Sequence, residues 1–312
     1  MASRTLIVYF SQAGSTRKVA HAIADGLRRQ GHQVDLHHLL DGSPPPLDGY
    51  DALGVGFPVY YWRPPFPIGD YLDALPQLGG LPHFVFVQSA GLEGDAAATA
   101  RRMLNAKGGR EVGVFRAMGP DHLLALLRRG RLLAADHPTP AELAAANAFG
   151  VNVARRIAGA EYAEPPPERP PTPLFRLVRF AMHRWLTRHL YSRAFAVRAD
   201  LCTACGTCTD VCPTANITPD RHGRPLWGRD CLVCGFCDLR CPAEAIRSPL
   251  RWHIFTPFIA LGERAVLANP LTGSAPVAIA QGQVVRLDRP HADPDATEVA
   301  ARQPEPRSRS TR

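Results

Sequence analysis

The placement of the cysteines constrains this chain more than any other feature of its sequence. All eight lie between residues 202 and 241, and each half of that stretch follows the pattern CxxCxxCxxxCP. The positions are Cys202, Cys205, Cys208, Cys212 and Pro213, and then Cys231, Cys234, Cys237, Cys241 and Pro242. Three thiolates spaced two residues apart can wrap one face of a four-iron cubane, while the fourth, next to proline, is carried away from it. Two 4Fe-4S clusters would therefore use all eight thiolates.

Zinc ions and disulfides are the alternative uses of clustered cysteines. Zinc sites also use paired CxxC elements, but four ligands per ion give no reason for a third regularly spaced cysteine in each half. The N-terminus shows no charged flank before a cleavable apolar segment, and no apolar run approaches the roughly 20 residues of a spanning helix. We therefore expect a cytoplasmic protein with no integral membrane segment, where clustered cysteines bind metals more often than they form disulfides.

The cysteine segment resembles bacterial-type ferredoxins with two clusters. The resemblance covers Asp200–Ile217, where Gly206 follows the second cysteine, and Asp230–Ile246. In such ferredoxins the fourth cysteine of each motif ligates the cluster of the other motif. The resemblance thus implies two ligand sets, namely Cys202, Cys205, Cys208 and Cys241 for cluster one, and Cys231, Cys234, Cys237 and Cys212 for cluster two.

The first half of the chain alternates strand-like and helix-like runs, which is typical of a parallel sheet covered on both faces. The strand candidates are Thr5–Phe10, Gln33–Leu36, Ala52–Phe57, Phe84–Gln88 and Val112–Phe115. Apolar residues at helical spacing predict a helix over Arg17–Arg29. Thr139, Pro140 and Glu142 form a capping-box pattern that predicts the start of a closing helix.

A loop of small and polar residues follows the first strand candidate. It consists of Ser11, Gln12, Ala13, Gly14, Ser15 and Thr16. Backbone amides and small hydroxyls at a helix N-terminus suit a phosphate group, although an ordinary capped loop is the alternative. The loop resembles the flavodoxin pattern S/T-x-T-G-N-T and departs from it at Ala13 and Ser15. The resemblance implies bound FMN and an α/β flavodoxin-like domain, whose five-stranded parallel sheet has the order 2-1-3-4-5.

Two further loops support the FMN prediction. The loop after the third strand holds Pro58, Val59, Tyr60, Tyr61 and Trp62, and the loop after the fourth holds Ser89, Ala90 and Gly91. Aromatic side chains can stack on a flat isoalloxazine ring, and small residues let backbone groups approach its edge. Because the carboxyl ends of strands one, three and four converge in a flavodoxin-like sheet, we expect all three loops to contact the FMN.

Changes in composition divide the chain into four segments. Six prolines between residues 165 and 173 end the alternating pattern. We predict an FMN-binding domain over 1–163, a linker and basic helix over 164–197, a small α+β ferredoxin-like dicluster domain over 198–248, and a partly disordered extension over 249–312.

The basic segment carries most of the net charge of +8, because it holds seven arginines and no acidic residue between Arg169 and Arg198. One helical face would collect Leu174, Leu177, Val178, Ala181 and Trp185. We predict a helix over Arg176–Arg193 that docks on a neighbouring domain, with peripheral contact to an anionic bilayer as the alternative. The segment lacks a DNA-binding motif and an aromatic stacking platform, so we expect no nucleic-acid partner.

Residues 1 to about 250 together resemble flavodoxin–ferredoxin fusion proteins. That resemblance implies electron transfer between FMN, two 4Fe-4S clusters and redox partner proteins. The alternative is a flavin-dependent reductase of a quinone, nitro compound or disulfide that its own clusters supply with electrons. The sequence contains no GxGxxG or P-loop pattern for a second nucleotide, and we assign no catalytic residue.

Overall fold

Five parallel strands form the central sheet, in a computed structural model that describes residues 3–163 and 173–288. The strands are β1 (Arg4–Tyr9), β2 (Gln33–His38), β3 (Ala52–Pro58), β4 (Pro82–Ser89) and β5 (Arg110–Met118). Their order is β2-β1-β3-β4-β5, and every neighbouring pair is parallel. The predicted flavodoxin-like topology is therefore confirmed.

Helices cover both faces of this sheet. They are α1 (Ser15–Arg28), α2 (Phe66–Ala74), α3 (Ala96–Ala106) and α5 (Pro140–Ile157). Alternate residues of β1 divide between two apolar clusters, one shared with α2 and α3 and the other with α1 and α5. The capping box at Thr139 and Glu142 forms as the sequence predicts. Gly26 lets α1 and α5 approach closely, because a Cβ there would lie 2.0 Å from the carbonyl oxygen of Asn147.

A second, three-stranded sheet ties the C-terminal extension to the first domain. It contains β6 (Arg131–Leu133), which follows α4 (Leu124–Leu127), together with β11 (Ser274–Ala280) and β12 (Gln283–Arg286). Strands β11 and β12 form a hairpin around Gly282, and β6 is only three residues long. A further helix, α10 (Thr256–Leu267), precedes this hairpin. The polar tail from Pro290 lies outside the described residues.

The basic segment is helical but broken. It contains α6 (Pro173–Ala181), α7 (Arg184–Leu186), a π-helical turn (Thr187–Tyr191) and a 3₁₀ turn (Ser192–Ala194). Phe175 and Met182 are buried, whereas Trp185, placed by the sequence on the packing face, is 60% exposed. The helix breaks at Met182 and His183, so the 100° periodicity that grouped Trp185 with α6 does not apply there.

Ion pairs hold the basic segment against the neighbouring domains. Arg179 contacts Asp95 next to α3, Arg184 contacts Asp70 in α2, and the Nη2 of Arg188 lies 2.5 Å from Asp230 in the cysteine segment. The remaining linker prolines at positions 165–171 lie outside the described residues. Within the described parts of the chain, no helix is long and apolar enough to cross a membrane.

The cysteine segment forms a small module with an internal repeat. Its elements are β7 (Ala196–Val197), α8 (Thr207–Asp210), β8 (Ile217–Pro219), β9 (Pro225–Trp227), α9 (Phe236–Leu239) and β10 (Ile246–Arg247). Strand β7 pairs antiparallel with β10, and β8 with β9. Side chains of α4 pack in one apolar cluster with side chains of α9, which joins the module to the flavodoxin-like domain.

Candidate functional site

One large cavity lies at the carboxyl edge of the parallel sheet, with a volume of about 580 Å³. It brings together all three loops that the sequence singled out. The predicted residues that line it are Ser11, Gln12, Ala13, Ser15, Thr16, Pro58, Val59, Tyr60, Tyr61, Trp62, Ser89 and Ala90. Gly14 and Gly91 belong to the same loops but are not among the lining residues. We call this part of the cavity the cradle.

The loop after β1 presents a helix N-terminus to the cradle. Gly14 occupies the N-cap position of α1 with a φ of 85°, in the left-handed region that favours glycine, and the Ser11 hydroxyl accepts from the Arg17 amide of the first turn at 3.3 Å. The hydroxyl of Thr16 donates to Oε1 of Gln88 at 3.0 Å. The Nε2 of His38 lies 2.9 Å from the Ser11 carbonyl oxygen, which fixes the start of the loop. The amides at this helix N-terminus, beside small hydroxyls, fit the phosphate of FMN.

The aromatic loop after β3 is bent sharply at two residues that are not glycine. Tyr61 and Trp62 have φ values of 49° and 61°, a conformation that bulky residues adopt only when their surroundings enforce it. The ring of Trp62 stacks on that of Phe175 in α6, with centroids 5.5 Å apart and planes inclined by 9°. One face of Trp62 is therefore covered by the protein itself.

The two tyrosines of this loop point their hydroxyls at polar partners. Tyr60 donates to Oε1 of Gln12, and Tyr61 donates to the carbonyl oxygen of Val233 at 2.6 Å. Burial, reinforced by the nearby Cys234 thiol, raises the pKa of both hydroxyls well above the usual value. Both side chains therefore remain protonated donors at neutral pH, with apolar rings available beside a flat cofactor.

A fourth loop, which the sequence reading missed, completes the cradle. Gly119, Pro120, Asp121, His122 and Leu123 follow β5 and line the same cavity. Burial raises the pKa of Asp121, although the Leu123 amide donates to its carboxylate at 2.9 Å. Burial also lowers the pKa of His122 to about 4. The position of the loop could have indicated it, because β5 ends at the same sheet edge as β3 and β4.

The eight cysteines are all free thiols and form two groups of four. We call Cys202, Cys205, Cys208 and Cys241 the outer quartet, because these four line one small cavity at the surface of the module. We call Cys212, Cys231, Cys234 and Cys237 the inner quartet, because Cys231 and Cys234 each lie close enough to the other three thiols to interact with them electrostatically. Each quartet takes three cysteines from one motif and one from the other, as the resemblance to dicluster ferredoxins implies.

Both cysteine motifs have the same backbone conformation. The residue before the second cysteine has a positive φ in each case, 54° at Ala204 and 55° at Val233, and the glycine after that cysteine has φ values of 80° and 74°. The fourth cysteine of each motif accepts a backbone N–H, since Asn216 donates to Cys212 Sγ and Ala245 to Cys241 Sγ, both at 3.3 Å. Amides directed at sulfur suit anionic cluster ligands.

The two quartets differ in burial. Cys205 is exposed, and its hydrogen bond with the Thr207 hydroxyl lowers the pKa of its thiol. Burial raises the pKa of Cys231 to about 12 and that of Cys234 to about 11. Among the described residues, no group of three His, Cys, Asp or Glu side chains is arranged to hold a single metal ion. The donor sets, each of four thiols, fit 4Fe-4S clusters.

The inner quartet adjoins the cradle. Cys234 lines the large cavity, and its sulfur lies 3.7 Å from the side-chain amide nitrogen Nε2 of Gln12 in the loop after β1. The neighbouring Leu232 is buried in the apolar cluster that β1 shares with α2 and α3. Gln12 therefore contacts both the aromatic loop, through Tyr60, and a cysteine of the second motif.

A buried carboxylate also connects the cysteine module to the first domain. Asp238 in α9 is fully buried and accepts from Arg128 at 2.8 Å and from Nε of Arg251 at 2.9 Å. Burial opposes ionisation of Asp238, but the hydrogen bonds from Arg251 and Arg128 hold its pKa below the usual value. Arg128 follows α4, so this pair joins the first domain to the cysteine module.

Comparison with known proteins identifies both halves of the site. Residues 6–121 match the family described as flavodoxin domain, and residues 195–218 match the family described as 4Fe-4S binding domain. The second cysteine motif lies outside the latter match. The flavodoxin domain implies FMN, the 4Fe-4S binding domain implies an iron–sulfur cluster, and both indicate a redox function with redox partners.

The individual relatives and solved structures match at most half of the chain. An NAD(P)H dehydrogenase (quinone) from Acidovorax ebreus is 32% identical over 133 residues, covering 36% of this chain and 62% of the relative. A coenzyme F420H2 oxidase from Methanothermobacter marburgensis is 34% identical over 145 residues, covering 43% of this chain and 36% of the relative. Among solved structures, an archaeal flavodoxin is 20% identical with a TM-score of 0.38, covering 50% of this chain and 99% of that protein.

The chain spans less than two thirds of the length of these curated relatives. The two family matches are separated by the basic segment and lie in the order that the sequence resemblance predicts. The protein thus carries a flavodoxin-like domain followed by a 4Fe-4S binding domain, an organisation consistent with a flavodoxin–ferredoxin fusion.

Proposed function

We propose that this chain is an electron relay, in which the outer quartet, the inner quartet and the cradle hold three redox groups in series. The contact between Gln12 and Cys234 carries the proposal, because it joins the cradle directly to the inner quartet. When bound, FMN exchanges electrons singly or in pairs and each 4Fe-4S cluster exchanges one, so the chain would connect one-electron with two-electron carriers.

Different cradle residues would bind different parts of FMN. The loop from Ser11 to Thr16 would bind the phosphate through the first amides of α1, which face no acidic side chain in the first turn. Tyr60 and Tyr61 would pack beside the isoalloxazine ring, with their orientation fixed by Gln12 and the Val233 carbonyl. The small residues Ser89 and Ala90 close the cradle from the next loop.

The two quartets would each bind one 4Fe-4S cluster. The outer quartet, Cys202, Cys205, Cys208 and Cys241, would hold cluster one, and the inner quartet, Cys231, Cys234, Cys237 and Cys212, would hold cluster two. The matching backbone of the two motifs supports a second cluster, although only the first motif matches the 4Fe-4S binding family.

The order of the relay follows from exposure. Cys205 of the outer quartet is exposed, so a protein partner can approach cluster one from solvent. No cysteine of the inner quartet is exposed and Cys237 is buried, so cluster two would exchange electrons within the chain. The buried ion pairs of Asp238 keep the module fixed, and a fixed separation is what a relay requires.

Anaerobic purification followed by cofactor analysis tests the composition of the relay. The expected content is about eight irons and eight sulfides, from two cubanes, and one FMN per chain. Stoichiometric zinc in place of iron, or a protein that takes up no flavin on reconstitution, would refute the proposal. Reduction by a low-potential one-electron donor should then bleach both the cluster and the flavin absorption, whereas NAD(P)H alone should reduce neither at a useful rate.

Reduction of a quinone at the cradle is a second candidate function. The relatives named NAD(P)H dehydrogenase (quinone) match 36% of the chain, and the cavity extends beyond the cradle residues. Conversion of a quinone to its hydroquinone consumes two electrons and two protons, and here a one-electron donor would supply the electrons through the quartets. Rapid oxidation of NADPH by the purified protein would instead indicate a self-contained reductase.

A further inference from the structure

We infer that the cavity contains, beside the cradle, a separate binding site for a lipophilic quinone between α6 and α10. We call this part of the cavity the vestibule. That the ligand is a redox compound rests on the proposed function. The walls of the vestibule belong to neither matched family region.

The vestibule is apolar, unlike the cradle. The cradle presents hydroxyl, amide and carboxyl groups, whereas the vestibule is lined almost entirely by hydrocarbon and aromatic side chains. They are Leu177, Val178, Ala181, Met182, Leu190, Tyr191, Trp252, Ile254, Phe255, Phe258, Ile259 and Val266. The one carboxylate among the vestibule residues, that of Glu263, forms an ion pair with Arg131 at 2.9 Å. A lining of this kind selects a flat, apolar ligand and would reject a charged nucleotide.

Aromatic rings in the vestibule are already arranged to receive a flat ring. Trp252 and Phe255 lie with planes inclined by 5° and centroids 6.1 Å apart, and Tyr191 meets each of them edge to face. Stacked and edge-on aromatic contacts are the favourable geometries for a planar conjugated ligand. The quinone class is flat and redox-active, so it suits a site that opens on a flavin.

The outer rim of the vestibule stays exposed. Five side chains line the cavity and yet remain open to solvent, with exposed fractions of 48% for Leu177, 48% for Leu190, 40% for Trp252, 69% for Ile254 and 39% for Phe258. Phe180, also in α6, is 71% exposed. An apolar rim that leads inward is suited to a ring compound with a hydrocarbon tail, because the tail would cover the rim.

Gly262 in α10 offers a direct way to fill the vestibule. It lines the cavity, its φ lies outside the left-handed region, and a Cβ there would meet no atom within 4 Å. Gly69 in α2 is a matched control, because it is also helical, has equal space for a Cβ and does not line the cavity. At both positions a Cβ meets no atom, and replacing a helical glycine reduces the entropy cost of forming the helix.

The test is equilibrium binding of two quinones to the purified holoprotein by calorimetry. One probe is a naphthoquinone with a single isoprenoid unit and the other is the ring without that unit. The parent protein should bind the tailed probe at least about tenfold more tightly than the bare ring, since each buried methylene adds roughly 0.8 kcal/mol. Gly262→Trp should weaken binding of the tailed probe at least about tenfold, and Gly69→Trp should leave it unchanged.

Three results would overturn the inference. They are no binding to the parent protein, equal binding to Gly262→Trp, or equal affinity for the tailed and bare probes. FMN and iron content of each protein, measured on the same samples, separate this failure from that of the relay. If the protein has its full cofactor content but binds no quinone, the proposed relay still stands and the proposed vestibule site is wrong.

Discussion

The outer and inner quartets are built from the same motif with the same backbone, but only the outer quartet has an exposed cysteine. Cys205 of the outer quartet reaches solvent, whereas Cys237 of the inner quartet is buried and Cys234 borders the cradle. Burial raises the pKa of Cys231 and Cys234, and the Thr207 hydroxyl lowers that of Cys205. The comparison indicates that the motif sets the local backbone around the cysteines, while the neighbouring domain decides which quartet is open to solvent and which adjoins the cradle.

The largest expected effect separates the cradle from both quartets. Gly14→Glu places bulk and negative charge at the N-terminus of α1, where the FMN phosphate would bind, and should weaken FMN binding more than about 100-fold. The iron content and cluster spectrum should be unchanged. FMN retention is measured by absorbance after gel filtration.

Gly31→Glu is the control for backbone strain. Gly31 has a φ of 82°, close to the 85° of Gly14, and a Cβ there meets no atom within 4 Å. It follows the other end of α1, so it should retain FMN. Loss of FMN from both variants, or from neither, would contradict the placement of the phosphate.

A second substitution should destabilise the inner quartet alone. Asp238→Asn removes the buried negative charge that faces Arg128 and Arg251, and should lower the free energy of unfolding by about 2–4 kcal/mol. The expected readouts are a lower denaturant midpoint and faster loss of one cluster signal. Asp210→Asn, an exposed position in the first motif, should change neither.

The hydrogen bonds to sulfur allow the two quartets to be distinguished by their potentials. Gln12→Leu removes the amide 3.7 Å from Cys234, and Thr207→Val removes the hydroxyl 3.4 Å from Cys205. A donor aimed at sulfur stabilises the more negative reduced cluster, so each substitution should lower one potential by an amount on the order of tens of millivolts. An EPR-monitored redox titration should show a different cluster signal shifting in each variant. The same signal shifting in both would contradict the assignment of the quartets.

The smallest expected effect is a pH dependence near the inner quartet. His122 packs against Phe236, and its pKa of about 4 in the folded protein lies below the usual 6.5. The unfolded chain therefore binds the proton more readily, so this residue destabilises the fold as pH falls from 6.5 towards 4. His122→Gln should remove that contribution. The melting temperature of the variant minus that of the parent protein should therefore be roughly 2 °C larger at pH 5 than at pH 7. An equal difference at both pH values would contradict a buried neutral histidine.

The sequence predicted most of the sheet and the cysteine groups because local patterns specify them. The strands are continuous apolar runs such as Leu6–Phe10, and the cysteine spacing is set by cluster geometry. The loop after β5 was missed because it has neither the run of aromatic residues nor the small hydroxyl residues that marked the other loops, although β5 ends at the same sheet edge. Strand β6 and its pairing with β11 were missed because three residues joined to a distant hairpin leave no local signal. Trp185 was misplaced because one helical period was extended across the break at His183.

The relay itself is tested most directly by the rate at which flavin is reduced under anaerobic single-turnover conditions. A reduced one-electron protein donor is mixed with the parent protein, with Cys205→Ser and with Thr218→Ala, which changes an exposed strand residue away from the cysteines. We expect flavin reduction to slow at least about tenfold in Cys205→Ser, with FMN still bound, and to be unchanged in Thr218→Ala. Equal rates in Cys205→Ser and the parent protein would show that electrons reach the flavin without passing through the outer quartet.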